Sequence, residues 1–278
     1  MKTLNFRKMH GIGNDFVFIK LPDESLFDAI QKESIKICDR NFGVGADGVI
    51  LLTPSQVADI KMTIINSDGS IAKMCGNAVR CIGRIMSEEK GNNEPVTIET
   101  LGGIKTVWIM DNETNVWQVK VDMGEPILKS ADIPVRSEND AVIDKDFELD
   151  GLNFKFTCVS MGNPHAIAFV DKTNRDLMMK YGPLMEVHSA FPDRTNVEFV
   201  EVTDEGLLTY VWERGAGPTL ACGTGACAVL VAANTTDRSG KKANVILPGG
   251  KLEIEWGSDN RVYMTGPAEH VFFGEITI

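Results

Sequence analysis

The chain has 278 residues, 43% hydrophobic and 24% charged, with 39 acidic against 28 basic side chains and a formal net charge of −11. This composition excludes a disordered tail, a collagen-like fibre and a coiled coil, and no apolar run approaches the roughly 20 residues needed to cross a bilayer. An acidic surface repels phosphate backbones, so neither nucleic acid nor a membrane is an expected partner. The opening residues 1–8 alternate polar and apolar with no cationic head or apolar block, which makes a cytoplasmic location the default expectation.

Taken in chain order, β-rich runs predict strands over 17–20, 48–52, 61–66, 96–100 and 105–109 in the first half. Runs at 166–170, 197–202, 207–212, 243–247 and 251–255 predict strands in the second. Helical spacing joins Leu26, Phe27, Ile30, Ile35 and Cys38, and again Ala78, Val79, Ile82, Ile85 and Met86. Residues 225–233 are nearly all small and apolar, as in a helix buried on every side. The class is α+β, mostly antiparallel sheet with one helix under each half.

The two halves repeat one another. Gly13-Asn14 is matched by Gly162-Asn163, Cys75-Gly76-Asn77-Ala78 by Cys222-Gly223-Thr224-Gly225, and Leu101-Gly102-Gly103 by Pro248-Gly249-Gly250. The offsets are 149 from Gly13 to Gly162, 147 from Cys75 to Cys222 and 147 from Gly102 to Gly249. A shared order at near-constant spacing predicts two pseudo-symmetric domains, each with sheet around a central helix. Their expected bounds are 1–120 and 121–266, and the spacing leaves open which domain takes 267–278.

Six cysteines are present, Cys38, Cys75, Cys81, Cys158, Cys222 and Cys227, and a disulfide framework is improbable without an export signal. Cys38, on an apolar helix face, and Cys158, in an apparent strand, read as buried filler. Zinc does not suit Cys75/Cys81 or Cys222/Cys227: at about 100° per residue these pairs lie about 240° and about 140° apart around a helix. Cys75 and Cys222 stand apart from the other four. Each ends a polar or glycine-rich loop and opens a helix, where unpaired N–H groups favour a thiolate and can receive a carboxylate. Two such thiols facing across a cleft suit proton removal from one face of a carbon and return on the other. Helix N-termini aimed at an α-carboxylate would stabilise the carbanion, so no electron-sink cofactor and no metal is required.

These residues resemble the diaminopimelate epimerase family over nearly the whole chain. The resemblance rests on Lys8-Met-His-Gly-Ile-Gly-Asn-Asp-Phe, Asn66-Ser-Asp-Gly-Ser, Cys75-Gly-Asn-Ala-Val-Arg-Cys, Ser160-Met-Gly-Asn-Pro-His, Phe191-Pro-Asp-Arg-Thr-Asn, Glu213-Arg-Gly-Ala-Gly, Ala221-Cys-Gly-Thr-Gly-Ala-Cys and Leu247-Pro-Gly-Gly. It implies that fold, with the last strand, 267–278, joined to the first domain, and inversion of one centre of LL-2,6-diaminopimelate to the meso form without pyridoxal phosphate or metal. The product would serve lysine and peptidoglycan precursor synthesis. It also implies that Cys75 and Cys222 are the acid/base thiols, with His165 and Glu213 beside the reacting centre. Gly76, Asn77, Gly223 and Thr224 would receive the reacting carboxylate at the two helix starts, and Asn14 would line the same cleft. Asn66, Asn163, Asn196 and Arg214 would hold the distal amino-acid end, Arg214 gripping its carboxylate bidentately. A homodimer is the usual state for the resemblance.

Two departures concern substrate fit. Gly48 in Gly45-Ala-Asp-Gly48 stands where some members have glutamine, and Ala78 stands where glycine is frequent. A racemase of histidine, proline or hydroxyproline on the same fold is the alternative, and a binding protein on that scaffold is the rival from another class. The distal-end residues argue for the longer, doubly zwitterionic substrate.

Overall fold

All ten β-rich runs become strands, most of them extended by a few residues, and both helical spacings become helices. The computed structural model describes residues 2–278. Two units emerge, one running to Val121 and taking back Gly266–Ile278, the other Asp122–Thr265. Among the described residues no helix is long and apolar enough to cross a membrane.

In the first unit β1 (Thr3–Gly11) and β2 (Asn14–Lys20) form a hairpin, followed by α1 (Phe27–Cys38), β3 (Gly48–Thr53) and β4 (Ile60–Asn66). The short β5 (Ile71–Ala72) leads into α2 (Gly76–Lys90), and β6 (Val96–Thr100), β7 (Gly103–Asp111) and β8 (Val116–Gly124) follow. The hairpin turns on Ile12-Gly13 with φ of 47° and 83°, a two-residue turn whose twist matches that of the strands. Strand β3 is buried at every position, as its unbroken apolar run requires. Helix α1 packs on β3 and β4, while α2 touches β1, β2, β6 and β7 and is buried from Gly76 through Ser87. A glycine at αL, Gly91 (φ 67°), ends α2.

The second unit repeats this order with β9 (Lys145–Leu149), β10 (Leu152–Ser160), β11 (Pro164–Phe169), α3 (Arg175–Glu186), β12 (Asn196–Thr203) and β13 (Gly206–Glu213). Then come β14 (Gly217–Pro218), α4 (Gly223–Thr235), β15 (Lys242–Leu247), β16 (Gly250–Trp256) and β17 (Val262–Thr277). The start of β17 pairs with β16 in this unit, and its later residues pair with β1 in the first. Helix α4 is buried from Gly225 through Ala233 and touches six strands, so its small side chains admit sheet all round. Aromatic packing of Phe147, Phe154, Phe156 and Phe199 fills the space beneath α3.

The two topologies match pair for pair. β2–β3 and β11–β12 are parallel, β4–β6 and β13–β15 are parallel, and the other pairings are antiparallel. Each unit carries two helices, which corrects the expectation of one under each half. Helix α3 escaped the sequence reading because Pro183 interrupts it and its apolar face is short. Ile35 is also corrected: it is 60% exposed, on the outer side of α1, whose buried face is Ile30, Ser34, Ile37 and Cys38.

Candidate active site

Cys75 and Cys222 are the N-caps of α2 and α4, each extended (φ −141°, ψ 117°; φ −118°, ψ 108°). Their carbonyls accept the first helical bonds, from Val79 N–H (3.0 Å) and Ala226 N–H (2.9 Å). A cap position leaves the thiol beside the unpaired N–H groups of the first turn. None of the six cysteines is in a disulfide.

Two side-chain amides, Asn14 and Asn77, stand at Cys75. Its Sγ donates to Asn14 Oδ1 at 3.3 Å, and Asn77 Nδ2 donates to the same oxygen at 3.0 Å. Asn14 Nδ2 in turn donates to Asp47 Oδ2 at 2.7 Å. A carboxylate only accepts, so Asp47 fixes the Asn14 amide with its oxygen toward the thiol. Asp47 is itself held by Arg40, which also pairs with Asp15, and the buried Lys8 completes the set on Asp15. Burial works to raise Asp15, but Arg40 and Lys8 prevail and hold its carboxyl below the ordinary value. Beneath the loop the fully buried Arg80 donates to Asn77 Oδ1 (2.8 Å) and to the Pro267 carbonyl (3.1 Å), fixing the first turn of α2.

Around Cys222 the groups are ionisable. Its Sγ accepts from Gly225 N–H at 3.3 Å, as a serine or aspartate cap would, and lies 3.5 Å from Thr224 Oγ1. The Glu213 carboxylate stands close enough to act on this thiol, and it accepts from Thr219 Oγ1 at 2.5 Å. His165, fully buried on β11, places Nδ1 2.7 Å from Glu198 Oε1 and Nε2 3.1 Å from Asn163 Oδ1. Burial pushes the Glu213 carboxyl up although the residue keeps some open surface. Burial, then the Glu213 and Glu198 carboxylates, push the Cys222 thiol well above its ordinary value. The expected thiolate-favouring pull of the helix start, through Gly225 N–H, is present but outweighed.

The remaining sequence candidates divide. Asn196 is buried, donating to the Pro164 carbonyl (2.7 Å) and accepting from Arg214 N–H (3.0 Å), so it ties two site loops together. Asn66 ends β4 and donates to Ser70 Oγ in its own turn. The Arg214 guanidinium is exposed, with a bond to the Asp193 carbonyl and no carboxylate partner among the described residues. Gly76 and Gly223 open their helices. Gly48 has no room for a longer side chain on this backbone: a Cβ there would lie 2.7 Å from the Ile65 carbonyl and 3.3 Å from the Phe16 ring. Sequence reasoning missed Asp47, Arg80 and Glu198. The first two sit inside quoted motifs, and Glu198 is the acidic residue within the first five positions of β12, all of them buried.

His165, Glu198 and Cys222 bring one nitrogen, one carboxylate oxygen and one sulfur within 4.8 Å of one another, a donor set open to a soft divalent cation. The direct Nδ1···Oε1 bond already engages two of the three donors with each other.

The family profile described as diaminopimelate epimerase matches residues 6–129 and 157–271. A protein named diaminopimelate epimerase from Methanococcus maripaludis is 50% identical over 278 residues, covering 99% of this chain and 100% of that one. The protein of the same name from Acetivibrio thermocellus is 49% identical, covering 99% of both chains. Among solved structures, a Bacillus anthracis phenazine biosynthesis protein of the PhzF family superposes with a TM-score of 0.72 at 21% identity over 100% of both chains, a likeness of fold. With the profile matched across both units, the chain belongs to the diaminopimelate epimerase family.

Proposed function

We propose that the chain interconverts LL- and meso-2,6-diaminopimelate by proton transfer at one α-carbon, with Cys75 and Cys222 as the two acid/base groups. The observation that carries this reading is the repeated helix start: two units of one topology each cap their central helix with a cysteine. In the forward step a thiolate takes the α-proton and the C–H electron pair stays on carbon. The other thiol then gives its proton to the opposite face. The first sulfur ends as thiol and the second as thiolate, so the pair is set for the reverse reaction with no redox change. Gly76, Asn77, Gly223 and Thr224 offer donors to the reacting carboxylate, whose negative charge grows in the transition state.

The resting Cys222 thiol is held protonated by burial and by two nearby carboxylates. An arriving substrate ammonium offsets those charges, so ionisation of this thiol is coupled to substrate binding. His165 and Glu213 orient the amine, and Asn14 holds the Cys75 S–H. Arg214, whose guanidinium lacks a carboxylate partner, suits the distal carboxylate, with Asn66, Asn163 and Asn196 shaping that end. This favours diaminopimelate over a compact ring such as proline.

Chiral chromatography of LL-diaminopimelate, proline, hydroxyproline and histidine incubated with the reduced protein tests the substrate. Conversion of diaminopimelate alone is expected; conversion of another of the four in its place overturns the reading. A homodimer is part of the proposal: Val271, Phe272 and Phe273 are 52%, 43% and 68% exposed and offer apolar surface for a second copy. Light scattering at twice 30.5 kDa is the expected result.

A further inference from the structure

We propose that Glu198 is a positioning residue for the Cys222 half-reaction, acting through His165: its carboxylate takes the Nδ1 proton and fixes which edge of the ring faces the reacting centre. The inference rests on the two-thiol reading above and deepens it.

The sequence repeat and the strand register together argue that this carboxylate is not a demand of the fold. In the parallel pair β11–β12, His165 lies opposite Asn196 and Ile167 opposite Glu198. In the equivalent pair β2–β3, Phe16 lies opposite Gly48 and Phe18 opposite Ile50. Phe16 therefore answers to His165 and Ile50 to Glu198, and the first unit builds the same sheet with two apolar side chains. Burying a carboxylate costs several kcal/mol unless it is paired, and an apolar replacement is often neutral or stabilising. Glu198 is nonetheless fully buried, with Oε1 on His165 and Oε2 without a hydrogen-bond partner.

The helix facing it is cut to fit. A Cβ at Gly225 would lie 2.7 Å from Glu198 Oε1 and 3.2 Å from Cys222 Sγ. The residue answering to Gly225 in the first unit, three beyond Cys75, is Ala78, which has no carboxylate to clear. Isoleucine with alanine at one helix start and glutamate with glycine at the other are two solutions to one packing problem, and the second admits a charge beside the thiol.

With Nδ1 donating to Glu198, Nε2 is turned toward Asn163, whose amide can donate to a neutral ring or accept from a charged one. Glutamine at position 198 would have an NH2 as well as an oxygen for Nδ1, so the ring would lose its fixed tautomer while the side-chain volume stayed the same. The carboxylate also acts on the thiol directly, since its charge helps to keep Cys222 protonated.

The test is a cycle of Glu198→Gln, His165→Gln and the double variant, read as kcat and KM for epimerisation. E198Q is expected to lower kcat about 30-fold with KM within about 3-fold, less than the roughly 100- to 10,000-fold that a general acid or base itself contributes. Its iodoacetamide labelling profile at Cys222 should move to lower pH with the urea midpoint unchanged, which separates loss of the charge from a packing defect that admits water to the thiol. The double variant should fall no further than H165Q alone. Retention of kcat within about 3-fold in E198Q, or losses that multiply in the double variant, would overturn the proposal. If E198Q does not fold, 15N-histidine spectra of the unaltered protein decide it: a proton fixed on Nδ1 of His165 supports the proposal, and a proton on Nε2 alone overturns it. Loss of epimerase activity in the unaltered protein would instead strike the function itself.

Discussion

The two helix starts share a backbone and a Cys-Gly pair and differ in the side chains packed against it. At α2, Cys75 donates into a neutral amide, Asn14, and the charges Asp47, Arg40, Asp15 and Lys8 stand one contact further out. At α4, Cys222 lies directly among Glu213, Glu198 and His165, and burial with the two carboxylates holds its proton. The duplicated fold supplies two equivalent helix starts, and divergence of the side chains around them gives the two thiols different surroundings. A reaction that moves a proton from one face of a carbon to the other needs that combination. On the proposed reading both helix starts hold the one reacting carboxylate, while one sulfur gives as the other takes.

The largest effect expected is from removing either sulfur. Cys75→Ala and Cys222→Ala should each lower epimerisation by about ten-thousand-fold, measured by meso product formation. A large loss in one and a small loss in the other would break the two-base account. Next is Arg214→Ala, where loss of a charge-assisted bidentate grip should raise KM by about 30-fold with a smaller change in kcat. A fall in kcat at constant KM would place Arg214 elsewhere in the reaction. Asp47→Asn tests the neutral side of the comparison. An asparagine can donate or accept, so the Asn14 amide is no longer fixed, and kcat should fall about 5- to 10-fold, near 1 kcal/mol. Unchanged kcat would mean that Asn14 keeps its orientation without Asp47.

The smallest effect concerns the cysteines beneath the sites. Burial pushes Cys81 and Cys158 up to about 12. A raised folded value means their contribution is fully present below the unfolded thiol range, near 8.5, and is lost as pH rises toward 12. Urea midpoints should therefore fall between pH 8 and pH 10, and C81A/C158A should flatten that fall by at most about 1.4 kcal/mol per thiol per pH unit. Equal slopes in parent and variant would contradict it.

Much of this was legible from residues alone, because alternation, helical spacing and glycine landmarks are local signals. The offsets of 147 to 149 residues found both helix starts, and the equivalence of β2–β3 with β11–β12 follows from the same arithmetic. Helix α3 did not follow, because Pro183 and a short apolar face break the pattern that a periodicity reads. Ile35 misled because one apolar residue can face solvent without disturbing the face next to it. The roles of Glu198 and Asp47 lie in contacts between strands or loops about 30 residues apart in the chain, His165 with Glu198 and Asn14 with Asp47, which no local pattern records. The raised Cys222 thiol was hidden for the same reason. A helix start can be read from the sequence, whereas two carboxylates folded against it cannot.

The most direct test of the central claim is an early-time label count with LL-diaminopimelate in D2O and the reduced protein. Two bases on opposite faces predict meso product carrying one solvent deuterium while the remaining LL substrate stays unlabelled. Product formed without deuterium would show a single base returning the proton it took, and label appearing in the LL substrate as fast as in the product would show a single base that exchanges with solvent; either would contradict the account.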